Sequence, residues 1–253
     1  MLLHAVIFDV DGTIAETERE GHRVAFNLAF ERFGLSDVWD EELYGRLLAI
    51  HGGKPRLDHY LASRRMDAAE RTRLVPALHE EKNRLFVELV RQRRIPLRPG
   101  ILRLLDELAE HGVEGAIATT GSRSWVDELL RALLGPERQE RFAAIVTGED
   151  VSRLKPDPEI YSLALARLGC EAGAALAMED SETGLAAAGA AGLPCLVVRN
   201  AYTCGQSFAA ADLVVDDLGD PGAPAAIVDD PHGVVSGDLI DVATLRRLRE
   251  IVT

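Results

Sequence analysis

Short apolar runs recur along the chain, and each stops at a polar or glycine-bearing turn. Ala5–Phe8, Val113–Ala118, Ala143–Val146, Ala174–Met178, Cys195–Val198 and Leu213–Val215 have the length and continuity of strands buried on both faces. Between several of them lie stretches with helical spacing, at Ile101–His111, Ser124–Leu134, Glu159–Leu168 and Glu182–Ala191. This alternation predicts parallel βα units with helices covering a buried sheet. The small residues Gly184, Ala186, Ala187, Ala188, Gly189, Ala190 and Ala191 predict a helix packed closely on that sheet.

Between Glu16 and Ile95 the strand signal disappears. Helical patterns replace it, at Arg23–Phe33, Glu41–Leu48, Arg56–Arg64 and Leu74–Arg93. The expected organisation is therefore an α/β core from residues 1–15 and 96–253, interrupted by an all-helical domain over 16–95. Hinges are expected near Glu16–Thr17 and Pro96–Pro99. Asp217–Asp238, rich in Asp, Gly and Pro, predicts irregular surface chain, and Ala243–Val252 a peripheral helix.

The chemistry sits where the strands end. Asp9-Val10-Asp11-Gly12-Thr13 follows the first apolar run. In extended chain residues i and i+2 share a side, so Asp9 and Asp11 face one site and Val10 the other. An Asx-type turn would use the same residues. Two close carboxylates are costly unless a cation neutralises them or one keeps a proton. A magnesium ion and a phosphoryl substrate satisfy both conditions, with one carboxylate as nucleophile and the other as proton donor. Thr119-Thr120-Gly121-Ser122 offers hydroxyls and backbone N–H groups for phosphate oxygens. Lys155-Pro156-Asp157-Pro158 offers a point charge on a restrained backbone. Glu179-Asp180-Ser181 adds a second acidic pair suited to completing an oxygen-ligand magnesium site. In open parallel sheets ligands bind beyond the carboxyl ends of the strands, where all four motifs fall.

Asp9-Val10-Asp11-Gly12-Thr13, Thr119, Lys155 and Glu179-Asp180-Ser181-Glu182-Thr183-Gly184 together resemble the haloacid dehalogenase superfamily of phosphohydrolases. Glu16-Thr17-Glu18, Gly21-His22-Arg23, Trp39-Asp40, Gly52-Gly53-Lys54, Leu97-Arg98-Pro99-Gly100, Leu134-Gly135-Pro136-Glu137-Arg138 and Gly205 near Tyr202-Thr203 are similar to its CbbY-type sugar phosphatases. The resemblance implies a Rossmann-like core with a helical cap that closes over the phosphoryl site, and a small phosphorylated sugar as substrate, xylulose-1,5-bisphosphate foremost. It implies Asp9 as nucleophile, Asp11 as acid and base, and Thr119, the Thr120 amide and Lys155 as phosphate-holding groups. Magnesium is expected on the Asp9 carboxylate, the Asp11 carbonyl and Asp180, with Glu179 at or just outside the first shell. Gly121 departs from the Ser or Thr that relatives often carry.

In the helical insertion, Gly52-Gly53-Lys54 with Arg56 reads either as a helix-to-helix turn or as a cradle for a second phosphate; the resemblance marks it as the substrate loop. Glu18 and His22 share a helix face, as a solvated ion pair or, by resemblance, as contacts to sugar and phosphate. Trp39, Tyr44 and Tyr60 are assigned to the insertion's core. His4, His51, His59, His79, His111 and His232 show no metal spacing and are assigned ordinary roles.

Composition narrows the partners. With 253 residues, 47% apolar and 27% charged, the chain has ordinary globular composition. A net charge of −13 argues against nucleic acid and anionic membrane as partners, while a local cation site still admits phosphate. No apolar run reaches the roughly 20 residues of a membrane span. Three scattered cysteines without a metal or redox motif suit a reducing compartment. A cytoplasmic monomer is expected, or a plastid stromal one without its transit peptide if the source is a plant. The rival functions are a β-phosphoglucomutase-like phosphotransferase, which would retain the phospho-intermediate for transfer, and a phosphosugar-binding regulator without turnover. A dehalogenase is disfavoured because Asp11 has no task in displacing halide.

Overall fold

Val6, Ile7 and Phe8 have no exposed surface, and the strand that carries them, β1 (Ala5–Phe8), lies inside the sheet with a parallel neighbour on each side. β2 (Glu114–Ala118) and β4 (Ala175–Glu179) both pair with it, and Ala5 lies opposite Glu114 on one side and Ala175 on the other. β3 (Phe142–Val146) extends the sheet beyond β2; β5 (Cys195–Val198), β6 (Leu213–Val215) and β7 (Ile227–Asp229) extend it beyond β4. The order is β3-β2-β1-β4-β5-β6-β7, parallel throughout except for β7. The chain turns to opposite sides of β1 on its way to β2 and to β4, which makes the carboxyl end of β1 the switch point of the sheet.

This computed structural model describes residues 2–50 and 52–252, so His51 lies outside the described residues. It divides into two units, Met1–Glu16 with Leu97–Thr253, and Thr17–Pro96. In the first, α5 (Ile101–Glu110), α6 (Arg123–Leu134), α7 (Pro136–Glu140), α8 (Glu159–Leu168), α9 (Glu182–Ala190) and α10 (Val242–Ile251) accompany the sheet. Ile160, Tyr161 and Ala164 of α8 and Leu185, Ala187 and Ala188 of α9 pack with Ala5, Ile7, Ala116 and Ala177 into one apolar cluster. Alternate residues Val6 and Phe8 point the other way, where α5 and α10 lie against β2 and β4.

One expectation is corrected. Residues 217–238 are not wholly irregular, because Ile227–Asp229 forms the antiparallel edge strand β7. All three of its residues are exposed, so it carries neither the apolar run nor the alternation by which a strand is recognised.

The chain leaves this unit at Glu16 and returns at Leu97, and the two crossings are joined side by side. Ala15 and Leu97 form an antiparallel bridge, and Arg98 N–H donates to the Ile14 carbonyl at 2.9 Å. The buried Arg98 side chain donates to the Glu16 carboxylate, to the Arg199 carbonyl at 2.9 Å and to the Asp216 carbonyl.

The second unit is all helix. A π-helical segment, Thr17–His22, runs into α1 (Arg23–Arg32); α2 (Glu41–Leu47), α3 (Gly53–Ser63) and α4 (Ala68–Arg91) follow. Asp40 and Asp67 cap α2 and α4, accepting from Leu43 N–H and Ala69 N–H at 2.7 Å. The cap at Asp67 starts α4 six residues before the expected Leu74, and the helix runs through Pro76. Trp39, Tyr44 and Tyr60 are buried with Phe26 and Phe30, as expected, their ring centroids 4.6–6.2 Å apart. Among the described residues no helix is long and apolar enough to cross a membrane.

Candidate active site

Asp9 is the first residue past β1, and its N–H still bonds the Met178 carbonyl at 2.9 Å. That bond fixes the carboxyl end of β1 against β4, whose last residue is Glu179. Gly12, at φ +84°, then turns the chain so that its N–H meets the Ala15 carbonyl at 2.9 Å. A Cβ at position 12 would lie 2.3 Å from Asp180 Oδ2 and 2.6 Å from Asn200 Nδ2, so only glycine fits there.

Lys155 reaches into the same place from the turn before α8. Its Nζ donates to Asp9 Oδ1 at 2.6 Å, Glu179 Oε1 at 2.6 Å and the Ala118 carbonyl at 2.8 Å, and the side chain is 5% exposed. The ammonium lies 5.0 Å from the centre of the Tyr161 ring, and Tyr161 Oη donates to Glu179 Oε1 at 2.5 Å. Asp180 Oδ2 accepts from Asn200 Nδ2 at 2.7 Å. Carboxylate oxygens of Asp9, Glu179 and Asp180 all lie within 4.8 Å of one another.

The charge balance of this cluster is incomplete. Burial pushes Asp9 up to about 8 against the pull of Lys155, with Glu179 and Asp11 pushing the same way as burial. Burial also holds Asp180 well above the carboxylate range, reinforced by Asp9 and Glu179. Burial alone would depress Lys155, but Asp9 and Glu179 outweigh it and keep the ammonium charged. One ammonium faces three buried carboxylates, and hard oxygen donors at this spacing fit a divalent cation that would supply the missing positive charge. Asp11 adds no carboxylate to this group; the atom expected of it was the backbone carbonyl.

Thr119 lies just beyond β2, fully buried, with its N–H on the Val146 carbonyl at 3.0 Å and its hydroxyl oxygen accepting from Gly121 N–H at 3.1 Å. Thr120 is exposed. Gly121 has a physical reason: a Cβ there would lie 2.2 Å from the Trp125 indole, so α6 takes up the space that a larger residue would need.

In the helical unit, Tyr44 Oη donates to the Glu18 carboxylate and accepts from Arg56 Nη1 at 3.2 Å. Arg56 is buried, with Nε on the Leu47 carbonyl at 3.1 Å and Nη2 on the Ile50 carbonyl at 3.3 Å, so it ties α3 to the end of α2. His22 stacks on Phe86 at 4.0 Å. Lys54 is exposed at the start of α3. Gly52 has φ +90°, and a Cβ on Gly53 would meet His79 Nε2 at 2.6 Å. Burial, reinforced by Lys82, Lys54 and His22, lowers His79 to about 4. Glu18 thus has Tyr44 as a partner, and His79 has Lys54, Lys82 and His22 as electrostatic neighbours.

Sequence reasoning missed Tyr161, Asn200 and Lys82, and gave His79 only an ordinary role. Tyr161 was legible only as an apolar-face position of α8, and Lys82 as one of many charges on a long helix. Asn200 carried the weak signal of lying one residue beyond a strand-end arginine.

The doubly wound sheet, with its buried acidic cluster and lysine at the switch point, matches the family model of haloacid dehalogenase-like hydrolases over residues 6–198, and the chain belongs to that family. It is a phosphatase of the CbbY-like group. It is 46% identical to plasmid protein CbbY of Cupriavidus necator over 228 residues, covering 88% of each chain. It superposes on CbbY from Rhodobacter sphaeroides in complex with phosphate with a TM-score of 0.74 at 40% identity, covering 85% of this chain and 95% of that one. A mutant of the Rhodobacter protein, in complex with xylulose-1,5-bisphosphate, gives the same values.

Proposed function

We propose that the chain is a magnesium-dependent phosphatase that hydrolyses a small sugar bisphosphate, xylulose-1,5-bisphosphate foremost, through an aspartyl phosphate on Asp9. The observation that carries the reading is the buried Asp9 carboxylate, held at 2.6 Å by Lys155 beside Glu179 and Asp180.

A carboxylate oxygen of Asp9 attacks phosphorus as the bond from phosphorus to the sugar oxygen breaks, and Asp11 gives its proton to the departing oxygen. Asp11, now ionised, takes a proton from water, and that water attacks the phosphorus of the intermediate to return free Asp9 and inorganic phosphate. Thr119, the Thr120 amide and Lys155 hold the charge that spreads over the phosphoryl oxygens. Asp9, Asp180 and the Asp11 carbonyl, with Glu179 beside them, would hold magnesium, which neutralises the carboxylates and the phosphoryl group when bound.

The helical unit supplies the selectivity in this proposal. Gly52, Gly53 and Lys54 take the distal phosphate, and the presence of both Lys54 and Lys82 beside His79 supports an anion there. Glu18 and His22 address the sugar. Arg56, whose donors are engaged with backbone carbonyls and Tyr44, shapes the loop from beneath.

A phosphate-release screen over sugar mono- and bisphosphates with magnesium tests the reading. A kcat/KM preference of several hundred-fold for a ketopentose bisphosphate is expected. Isomerised sugar phosphate in place of inorganic phosphate would transfer the assignment to a mutase.

A further inference from the structure

Asp180 differs from the other two carboxylates of the cluster in the kind of partner it has. Asp9 and Glu179 both meet the Lys155 ammonium, whereas the partner at Asp180 Oδ2 is the neutral Asn200 amide at 2.7 Å. The orientation of that amide is dictated by the chain around it. Asn200 Oδ1 accepts from Tyr202 N–H at 2.9 Å, and Asn200 N–H donates to Thr203 Oγ1, also at 2.9 Å. With Oδ1 committed to a backbone donor, Nδ2 is the end that faces Asp180, so the amide has one sensible orientation. The turn is itself anchored from behind, since the carbonyl of Arg199 accepts from the Arg98 guanidinium. Gly12 closes the other side, its missing Cβ leaving room for Asp180 and Asn200 to meet.

We propose that Asn200 is a positioning residue for the divalent-cation site: its amide holds Asp180 Oδ2 and leaves Oδ1 to coordinate the ion. The assignment rests on the metal-dependent reading above. A neutral donor suits this task better than a cation. Lysine or arginine at position 200 would cancel the charge that Asp180 brings to the ion, whereas an amide fixes the carboxylate and leaves its charge intact. Partners that orient ligating groups in this way are typically worth 10- to 100-fold in metal affinity.

The test uses the purified 253-residue chain and Mn2+ alone, titrated without substrate and followed by the EPR signal of the free ion. Asn200→Ser keeps an oxygen that can accept from Tyr202 N–H, as in a hydroxyl-based turn, but is too short to reach Asp180. It should melt within a few degrees of the parent and bind Mn2+ 10- to 100-fold more weakly, with kcat on p-nitrophenyl phosphate recovering substantially at saturating Mg2+. Thr203→Val removes the acceptor at the base of the turn and leaves the amide in place, and its Mn2+ affinity should stay within about threefold of the parent. Equal weakening in the two variants would mean that the turn, and not the amide, matters, and would overturn the assignment. So would unchanged Mn2+ affinity in Asn200→Ser. If Asn200→Ser does not fold, Asn200→Ala carries the same expectation and the same refutation. Failure of the parent protein to bind Mn2+ would defeat the metal-dependent reading itself, and this assignment with it.

Discussion

Gly184 and Glu179 occupy space that no side chain at position 184 could share: a Cβ there would stand 1.9 Å from Glu179 Oε2 and 2.0 Å from its Cδ. Glu179 cannot retreat, because it is 1% exposed and pinned by Lys155 and Tyr161. The first turn of α9 therefore presses its backbone against a residue of the acidic cluster.

Gly184→Ala should cost about 1–3 kcal/mol in stability, the usual range for overpacking a filled interior, and lower phosphatase activity by displacing Glu179. Gly189→Ala is the internal control. It lies on the same helix with nothing within 4 Å of its missing Cβ, so alanine should be neutral or raise stability by up to about 1 kcal/mol. Thermal melts of the two variants separate these outcomes, and equal effects would refute the packing argument.

Asp9→Asn should bring turnover below detection, because an amide cannot form the acyl phosphate. Asp11→Asn should lose about 10²- to 10⁴-fold in kcat through absent proton transfer while keeping substrate affinity. Phosphate release by the purified variants decides it; normal turnover by Asp9→Asn would end the proposed mechanism.

Chelation should abolish activity and magnesium restore it. Calcium should bind with little turnover, since its larger and looser coordination sphere misplaces nucleophile and phosphate. Full activity after exhaustive chelation would contradict the cation assignment.

Lys54→Ala should lower kcat/KM for a sugar bisphosphate by about 10²-fold, the loss of one charged contact worth roughly 3 kcal/mol. Hydrolysis of p-nitrophenyl phosphate, which has no second phosphate, should barely change. Parallel loss on both substrates would remove Lys54 from the distal phosphate.

His79 gives a pH signature. Its folded pKa of about 4 lies below the ordinary histidine value of 6.5, because burial opposes its protonation and the neighbouring Lys82, Lys54 and His22 act in the same direction. Between those values the unfolded chain binds more protons than the folded one, so stability falls as pH drops from about 6.5 to about 4 and levels off below. Replacing His79 with Gln should flatten that part of the stability profile, as read by melting temperature against pH. An unchanged slope would show that other groups carry it.

The six parallel strands were readable because each is a short apolar run ending in a turn, and Cys195–Val198 and Leu213–Val215 coincide with the observed β5 and β6. β7 escaped because an exposed three-residue edge strand leaves no pattern of burial. The meeting of Asp9, Glu179 and Asp180 was implied by their shared place at strand ends, whereas Lys155 joins them from the turn before α8. The hydroxyl of Tyr161 and the amide of Asn200 were not, since their contacts depend on register between segments far apart in sequence. Tyr44 was read correctly as a core ring, but its hydroxyl bridges Glu18 and Arg56, a polar function that a hydrophobic pattern cannot disclose.

The pairing of Ala15 with Leu97, locked by Arg98 onto Glu16 and the carbonyls of Arg199 and Asp216, lets the α/β unit hold its two crossings together through its own residues. The host needs only a guest whose own ends lie close together, because the entropy of closing the intervening loop grows slowly with its length. The junction thus behaves as a socket. A guest of different size could be seated at the same pair of crossings while the strands that carry the acidic cluster stay untouched.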